Sequence, residues 1–263
     1  MATYEQISGT FWRSADGVFC EGRKIDLNPK TARVYFDTWA TDGKRVYMWS
    51  FERRGIDAET FVPLNDLYAK DASACYARPK KIAGADPKHF EVLDSGLCKT
   101  SSVSSRNFAG GFARDQANVY HDGNRVPGAD TQTFVSVGDS FGRDAKSVFY
   151  EHRKLQGADP RRWRVVAGLF SQDDKRVYYM NRPVPDADPG RFYALSPGWP
   201  HFAYDGVRFF CNGRVSSAEE YAENLERHQS SYAQYIELLR SGKWEQLRHA
   251  ESWPYRSPAE REE

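Results

Sequence analysis

Hydrophobic and polar positions recur along this chain at fixed distances from aspartate residues. An aromatic residue precedes an aspartate by three positions in six places, and a pair of strand-forming residues, such as Val119-Tyr120, begins four positions after that aspartate. The six pairs are Trp39/Asp42, Tyr68/Asp71, Phe112/Asp115, Phe141/Asp144, Phe170/Asp173 and Phe202/Asp205. Valine and aromatic residues favour strands, and aspartate favours tight turns because its carboxylate accepts backbone N–H groups two residues on. Each copy therefore predicts a β-hairpin.

A second aspartate follows five of the strand-forming pairs, and a large aromatic residue follows each second aspartate by four positions. These residues are Asp57 with Phe61, Asp86 with Phe90, Asp130 with Phe134, Asp159 with Trp163 and Asp188 with Phe192. Three of these aspartates precede proline, which is typical of an N-cap followed by proline at the first helical position. The pattern predicts a short helical turn that carries the aromatic ring to the core, where its burial contributes about 1.5–3 kcal/mol.

The repeat is 29 residues long where it is undisturbed, as from Asp115 to Asp144. A degenerate copy begins at Asp16. Because one such unit has too little surface to bury a core alone, stacked copies are expected to form it. The sequence thus predicts a mainly β fold over residues 1–215, built from tandem β-hairpin repeats with two or three short strands and a helical turn each. A solenoid-like array, a meander and a closed ring all remain open.

An insertion at about residues 91–111 interrupts the repeat with a polar run. Loops on rigid scaffolds often carry recognition, so we predict a partner-binding loop here. An insertion without a role is the alternative. The candidate contact residues are Ser101, Ser102, Ser104, Ser105 and Arg106.

Residues 216–263 change from the repeat pattern to helical spacing. Ser217 and Glu220 fit a capping box, which predicts the start of a helix over about residues 218–240. Gly242 is the predicted stop signal. We expect the aromatic stripe of this helix to cap the end of the array, and the tail that follows to be frayed. Recognition of a partner by this stripe is the alternative.

Charge and composition exclude several classes of function. The 37 Lys and Arg against 36 Asp and Glu give a net charge of +1, so no excess field favours nucleic acid or anionic lipid. The sequence has neither an export signal nor an apolar run long enough for a membrane span, which predicts a cytoplasmic protein. A mean hydropathy of −0.73 with 14% aromatic residues indicates a core that depends on rings.

The sequence carries no pattern of catalytic or metal-binding residues. Its four cysteines lie far apart and predict free thiols, and the six histidines form no zinc-hydrolase pattern. A phosphate loop, a nucleophile elbow and a dinucleotide fingerprint are also missing. We therefore predict no catalytic, cofactor or metal site and no enzyme activity, with an unrecognised active site and calcium binding by the recurrent aspartates as alternatives.

The repeat resembles the DKNYY family of bacterial repeat proteins. The resemblance rests on the runs 68–71 (Tyr-Ala-Lys-Asp), 84–87 (Gly-Ala-Asp-Pro) with Phe90, and 177–179 (Val-Tyr-Tyr), and it covers about residues 39–215. It implies a bacterial source and no catalytic residues. Some relatives lie beside polymorphic toxin genes, so the resemblance also implies a role as an immunity protein.

These observations together predict a non-catalytic protein-binding repeat protein, with neutralisation of a cognate toxin by occlusion as the leading hypothesis. The alternative is a glycan- or cell-envelope-binding repeat protein that uses exposed aromatic residues such as Trp39, Trp49 and Trp199.

Overall fold

The computed structural model describes residues 3–94, 110–195 and 201–228. Over these ranges the chain forms seven antiparallel sheets of four strands each, and every sheet takes its strands in chain order. One helix follows the last sheet. The predicted mainly β tandem repeat with a C-terminal helix is confirmed.

The first four sheets contain strands of two to four residues. Their bounds are β1 Glu5–Ser8, β2 Phe11–Ser14, β3 Gly17–Cys20 and β4 Arg23–Ile25; β5 Arg33–Tyr35, β6 Trp39–Thr41, β7 Val46–Met48 and β8 Phe51–Glu52; β9 Val62–Pro63, β10 Tyr68–Lys70, β11 Cys75–Ala77 and β12 Lys80–Lys81; and β13 Glu91–Val92, β14 Phe112–Arg114, β15 Val119–His121 and β16 Asn124–Arg125.

The last three sheets repeat this order, and the helix α1 covers Ala218–His228. Their bounds are β17 Val135–Gly138, β18 Phe141–Arg143, β19 Val148–Tyr150 and β20 Arg153–Lys154; β21 Arg164–Ala167, β22 Phe170–Gln172, β23 Val177–Tyr179 and β24 Arg182–Pro183; and β25 Tyr193–Ala194, β26 Phe202–Tyr204, β27 Phe209–Cys211 and β28 Arg214–Ser216.

The described part of the chain divides into two compact units, and the boundary falls after Asp144, within the fifth sheet. The first unit carries β1 to β18, and the second carries β19 to β28 and α1. The predicted boundary at residues 215 and 216 lies inside the second unit, at the end of β28.

Each sheet has four strands, where the sequence predicts two or three. The two central strands form the predicted hairpin, as in the pairing of Tyr68 with Ala77. One further strand precedes this hairpin and another follows it, and nearly all residues of these outer strands are exposed or half-buried. Val62 of β9, for example, is 45% exposed. Because such strands bury few side chains, they leave no apolar alternation in the sequence.

The connection after each fourth strand contains a capped turn at the second aspartate. In the connection that follows β16, Oδ1 of Asp130 accepts the N–H of Gln132 at 2.9 Å, and the carbonyl of Asp130 accepts the N–H of Phe134 at 2.9 Å. The predicted helical turn is confirmed here as a single hydrogen-bonded turn. The predicted N-cap is confirmed at Asp159, which precedes proline: its Oδ1 accepts the N–H of Arg161 at 3.0 Å, and its carbonyl accepts the N–H of Trp163 at 2.9 Å. Asn28 fills the same role in the degenerate first copy, where its Oδ1 accepts the N–H of Lys30.

The core lies between successive sheets. Between the third and fourth sheets, Tyr68 and Cys75 of one sheet pack with Ala113 and Tyr120 of the next. A small residue occupies the middle of most second strands because an aromatic ring lies directly over it. A Cβ atom added to Gly142 would lie 2.3 Å from the ring of Phe134.

The hairpin between the third and fourth strands begins with a residue of positive φ in every sheet. Gly22, Gly123 and Gly213 follow that residue with positive φ of their own, which is typical of a two-residue hairpin turn. The other sheets place only the first residue in this region, and Glu151, with φ 54°, is one of them. Residues other than glycine, asparagine and aspartate adopt this conformation at an energetic cost.

We expect Glu151→Asn to stabilise the protein by about 0.5–1 kcal/mol because asparagine adopts positive φ with less strain. Urea unfolding of the full chain measures this gain. The matched control is His152→Asn at the adjacent position, which has no positive φ and should gain nothing. Equal gains for both variants would contradict the backbone explanation.

The helix begins as the capping box predicts. The N–H of Glu220 donates to Oγ of Ser217 at 3.2 Å, and α1 is described as far as His228. The predicted continuation to residue 240 and the end at Gly242 lie outside the described residues.

Tyr221 anchors α1 on the last sheet. Its ring is 1% exposed, its centroid lies 4.9 Å from that of Phe202, and its hydroxyl donates to the carbonyl of Leu195 at 3.3 Å. Tyr221 follows Ser217 by four positions, as Phe192 follows Asp188. The helix therefore starts where the repeat places its capped turn.

Candidate functional site

The first aspartate of each repeat closes its own hairpin turn. In Asp173, Oδ1 accepts the N–H groups of Lys175 and Arg176, both at 2.8 Å. Asp42, Asp71, Asp115 and Asp205 accept the equivalent pair of N–H groups. These carboxylates stabilise turns, as the sequence predicts.

The second oxygen of the first aspartate ties that hairpin to the preceding connection. Oδ2 of Asp71 accepts the N–H of Asp57 at 3.0 Å. The same bond joins Asp86 to Asp115, Asp130 to Asp144, Asp159 to Asp173, Asp188 to Asp205 and, in the first copy, Asn28 to Asp42. Each recurrent aspartate therefore links two successive repeats.

Hydrogen bonds keep the carboxylates of Asp71 and Asp115 ionised in spite of their burial. Burial opposes ionisation of Asp71, but hydrogen bonds from the Tyr76 hydroxyl, the Asp57 amide and Ser73 outweigh it and lower the pKa of Asp71 to about 2. In the next repeat, burial likewise opposes ionisation of Asp115, and its hydrogen bonds lower its pKa. Carboxylates that accept this many N–H and O–H donors act as structural acceptors.

The aromatic ring after each second aspartate bridges two sheets. Phe90 is 5% exposed, and its centroid lies 5.6 Å from that of Tyr68 and 5.9 Å from that of Tyr120. Phe192 lies 5.2 Å from Phe170 and 5.6 Å from Phe210 in the same way. The recurrent rings are therefore core residues, as predicted.

The predicted loop residues Ser101, Ser102, Ser104, Ser105 and Arg106 lie outside the described residues, and so does Trp199. The prediction that Trp39 is exposed is wrong. Its side chain is fully buried, and its Nε1 donates to the carbonyl of Asn65 at 3.0 Å. Its burial follows from its position at the start of a central strand. Trp49 is half-buried against the neighbouring core.

Across residues 3–94, 110–195 and 201–223, histidine, cysteine, aspartate and glutamate form no cluster that could hold a metal ion. No helix in the described part of the chain has the length and apolar character needed to cross a membrane. Cys20, Cys75 and Cys211 are free cysteines.

Exposed basic residues recur on the fourth strands, which lie at one edge of every sheet. The position five residues after the start of the strand-forming pair holds Arg23, Lys80, Arg153, Arg182 and Arg214 in five of the seven sheets. In the second sheet this position is Phe51, and the next residue, Glu52, lies within 3.7 Å of Arg45. The basic series is thus interrupted in the first unit and continuous in the second.

The continuous part of this series lines a cleft of about 810 Å³ in the second unit. Arg153, Arg182 and Arg214 come from the fourth strands of three successive sheets, and Glu220 of α1 is the one carboxylate among the lining residues. The three arginines are exposed and form no ion pair with another residue in the described ranges. Three guanidinium groups against one carboxylate give the cleft a positive charge.

A partly buried hydrogen-bond network supports the wall of this cleft, to which Tyr179 and Asn212 contribute. The Tyr179 hydroxyl donates to Oδ1 of Asn212 at 3.1 Å and lies 3.2 Å from Nδ1 of His201. The backbone N–H of His201 donates to the same Oδ1 at 2.9 Å. Burial, followed by the nearby Cys211, raises the pKa of Tyr179 to about 12. Tyr179 therefore stays neutral and positions Asn212, whose Nδ2 forms no hydrogen bond with a described residue.

Glycine is required where the last hairpin reaches this wall. A Cβ atom added to Gly213 would lie 2.6 Å from Cβ of Tyr179, and Gly213 has a φ of 77°. The hairpin therefore packs directly on the tyrosine. The sequence analysis did not identify the cleft, because the three arginines lie 29 and 32 residues apart.

The fold and the cleft together define a tandem β-repeat protein with one basic cleft among its described residues. The family model of the DKNYY family matches residues 2–107 and 98–182, which is more than half of the chain. The chain belongs to the DKNYY family, as its motifs predict. Searches of curated proteins and of solved structures found no match.

Proposed function

We propose that the chain is a non-catalytic protein-binding repeat protein that acts in the bacterial cytoplasm as an immunity protein and neutralises a cognate toxin by occlusion. One observation carries the proposal. The recurrent aspartates and rings, such as Asp71 and Phe90, form contacts between successive repeats. The exposed loops and the fourth strands are therefore the parts of the chain that can contact a partner. A scaffold of this kind suits recognition of a protein surface.

The insertion is the first contact surface that we propose, and the structure describes the residues on both sides of it. The carbonyl of Asp94 accepts Nδ2 of Asn65 at 3.2 Å, and its carboxylate accepts the N–H of Phe112 and the hydroxyl of Ser136. Asp94 therefore holds the scaffold together. A variant that tests the loop must keep this residue and alter only residues 95–109.

We expect the product of the neighbouring gene to co-purify with this chain, and expression of the chain to protect cells from that product. Replacement of residues 95–109 by a Gly-Ser linker of equal length should abolish both effects because it removes the proposed contacts and keeps Asp94. Thermal unfolding of the purified variant serves as the control for folding. Protection by a folded variant would refute the loop assignment, and failure of the intact chain to bind or protect would refute the immunity role.

The glycan-binding alternative depends on exposed rings. The described residues offer Trp12, Phe36 and Phe51, which are 39%, 48% and 57% exposed, in place of the buried Trp39. Retention of the chain on immobilised glycans, with no protein partner captured, would favour this alternative over the immunity role.

A further inference from the structure

The cleft of the second unit has the charge and shape of a second contact surface. Arg153, Arg182 and Arg214 occupy the same repeat position in three successive sheets, and all three line the cleft. Their guanidinium groups can each form paired hydrogen bonds with a carboxylate. Because no described residue pairs with them, a ligand can bind them without first breaking an ion pair.

The placement of one arginine on each of three successive sheets indicates an extended ligand. Packed sheets lie about 10 Å apart, so one arginine per sheet places neighbouring guanidinium groups about that far apart. A single phosphate or carboxylate is too small to reach all three. A polyproline II segment rises about 3.1 Å per residue with three residues per turn, so every third side chain faces the same way at about 9 Å intervals. An acidic residue at every third position would therefore match the arginines.

The cleft also offers a hydrogen-bond donor, Nδ2 of Asn212, for a peptide carbonyl. Oδ1 of Asn212 is occupied by Tyr179 and His201, and its Nδ2 remains available to a ligand carbonyl. The neighbouring edge strand β24 contains Pro183, which has no N–H, so pairing along this edge is incomplete. Side-chain contacts, more than the addition of a strand, would therefore hold the peptide.

We infer that this cleft binds an extended acidic peptide segment, with Asp or Glu at about every third residue, on the protein partner. The inference rests on the proposed protein-binding function and names the chemistry of the partner surface. Basic residues on edge strands can also serve only to prevent aggregation. The first unit provides the comparison, because its basic residues occupy the same repeat positions but do not line this cleft.

Fluorescence anisotropy with the full chain and a labelled Glu-Pro-Pro repeat peptide tests this inference. We expect R153Q/R182Q/R214Q to weaken binding at least about tenfold because three charged contacts are lost. The control, R23Q/K80Q/R125Q, removes the same charge from fourth strands of the first unit and should leave binding unchanged. Arg23 and Lys80 occupy the same repeat position as the cleft arginines, and Arg125 follows that position by one residue. A Gln-Pro-Pro peptide should not bind.

Three outcomes of the binding measurements would overturn the inference. The first is that the Glu-Pro-Pro peptide does not bind the intact chain, and the second is that the control variant loses as much affinity as R153Q/R182Q/R214Q. The third is that polygalacturonate binds more tightly than the peptide and depends on the same three arginines. The last outcome would assign the cleft to an anionic glycan. If the neighbouring gene product still co-purifies with R153Q/R182Q/R214Q, the cleft assignment fails while the protein-binding function stands.

Discussion

Asp71→Ala is expected to lower the free energy of unfolding by about 3–5 kcal/mol, since it leaves several buried donors without an acceptor. The carboxylate accepts the N–H of Ser73 at 2.7 Å, the N–H of Ala74 at 2.8 Å, the N–H of Asp57 at 3.0 Å and the hydroxyl of Tyr76 at 2.7 Å. Asp71 is 3% exposed, so water cannot easily replace the lost acceptor. Urea unfolding of the full chain measures the effect.

The matched control is Asp57→Ala in the same pair of repeats. Asp57 is exposed, and its carboxylate caps one turn through the N–H of Glu59 and the hydroxyl of Thr60. Loss of such a cap costs about 1 kcal/mol. If the two variants lose the same stability, the buried carboxylate is not the link between repeats that its contacts indicate.

Acid should remove the same contribution from the intact protein. The pKa of Asp71 falls from 3.8 to about 2 on folding, so its stabilising effect is fully present above pH 4 and is lost as the pH falls towards 2. Between pH 4 and pH 2 the intact chain should therefore lose more stability than Asp71→Ala. Equal losses over this range would show that Asp71 does not contribute to acid sensitivity.

The sequence predicted the turns and the core rings because each depends on residues at a fixed local spacing. The capped turn at Asp130 and the ring of Phe90 follow directly from that spacing. The outer strands could not be predicted, because a two-residue strand such as β12 (Lys80–Lys81) is exposed on both residues. Its formation depends on pairing with β11, and local preference does not encode that pairing.

The sequence could have predicted only part of the candidate cleft, namely the repeat position of its three arginines. Alignment of the repeats would have shown a basic residue at the position of Arg153, Arg182 and Arg214, because the register is fixed by the aspartates. The alignment could not have separated these residues from Lys80, which occupies the same position in the first unit. That distinction depends on packing in three dimensions, where Asn212 and Tyr179 complete the wall of the cleft.

Phe90→Ala should destabilise the protein by about 3–5 kcal/mol, because it empties the space between the third and fourth sheets. Its ring contacts Tyr68 on one side and Tyr120 on the other, so removal weakens both sheets together. Stability in repeat proteins depends on such interfaces between neighbours. Urea unfolding measures the total loss of stability. The control is Phe51→Ala: because Phe51 is 57% exposed, this substitution should lower the free energy of unfolding by no more than about 0.5 kcal/mol.

Hydrogen exchange locates the loss along the chain. In Phe90→Ala the amides of β10, β11, β14 and β15 should exchange faster, while those of β2 and β3 in the first sheet keep their protection. The reason is that Phe90 lies between the third and fourth sheets and has no ring contact with the first. Faster exchange confined to one of the two sheets would mean that the ring stabilises a single repeat. The interpretation that each 29-residue repeat is joined to the next by a shared aromatic ring would then be wrong.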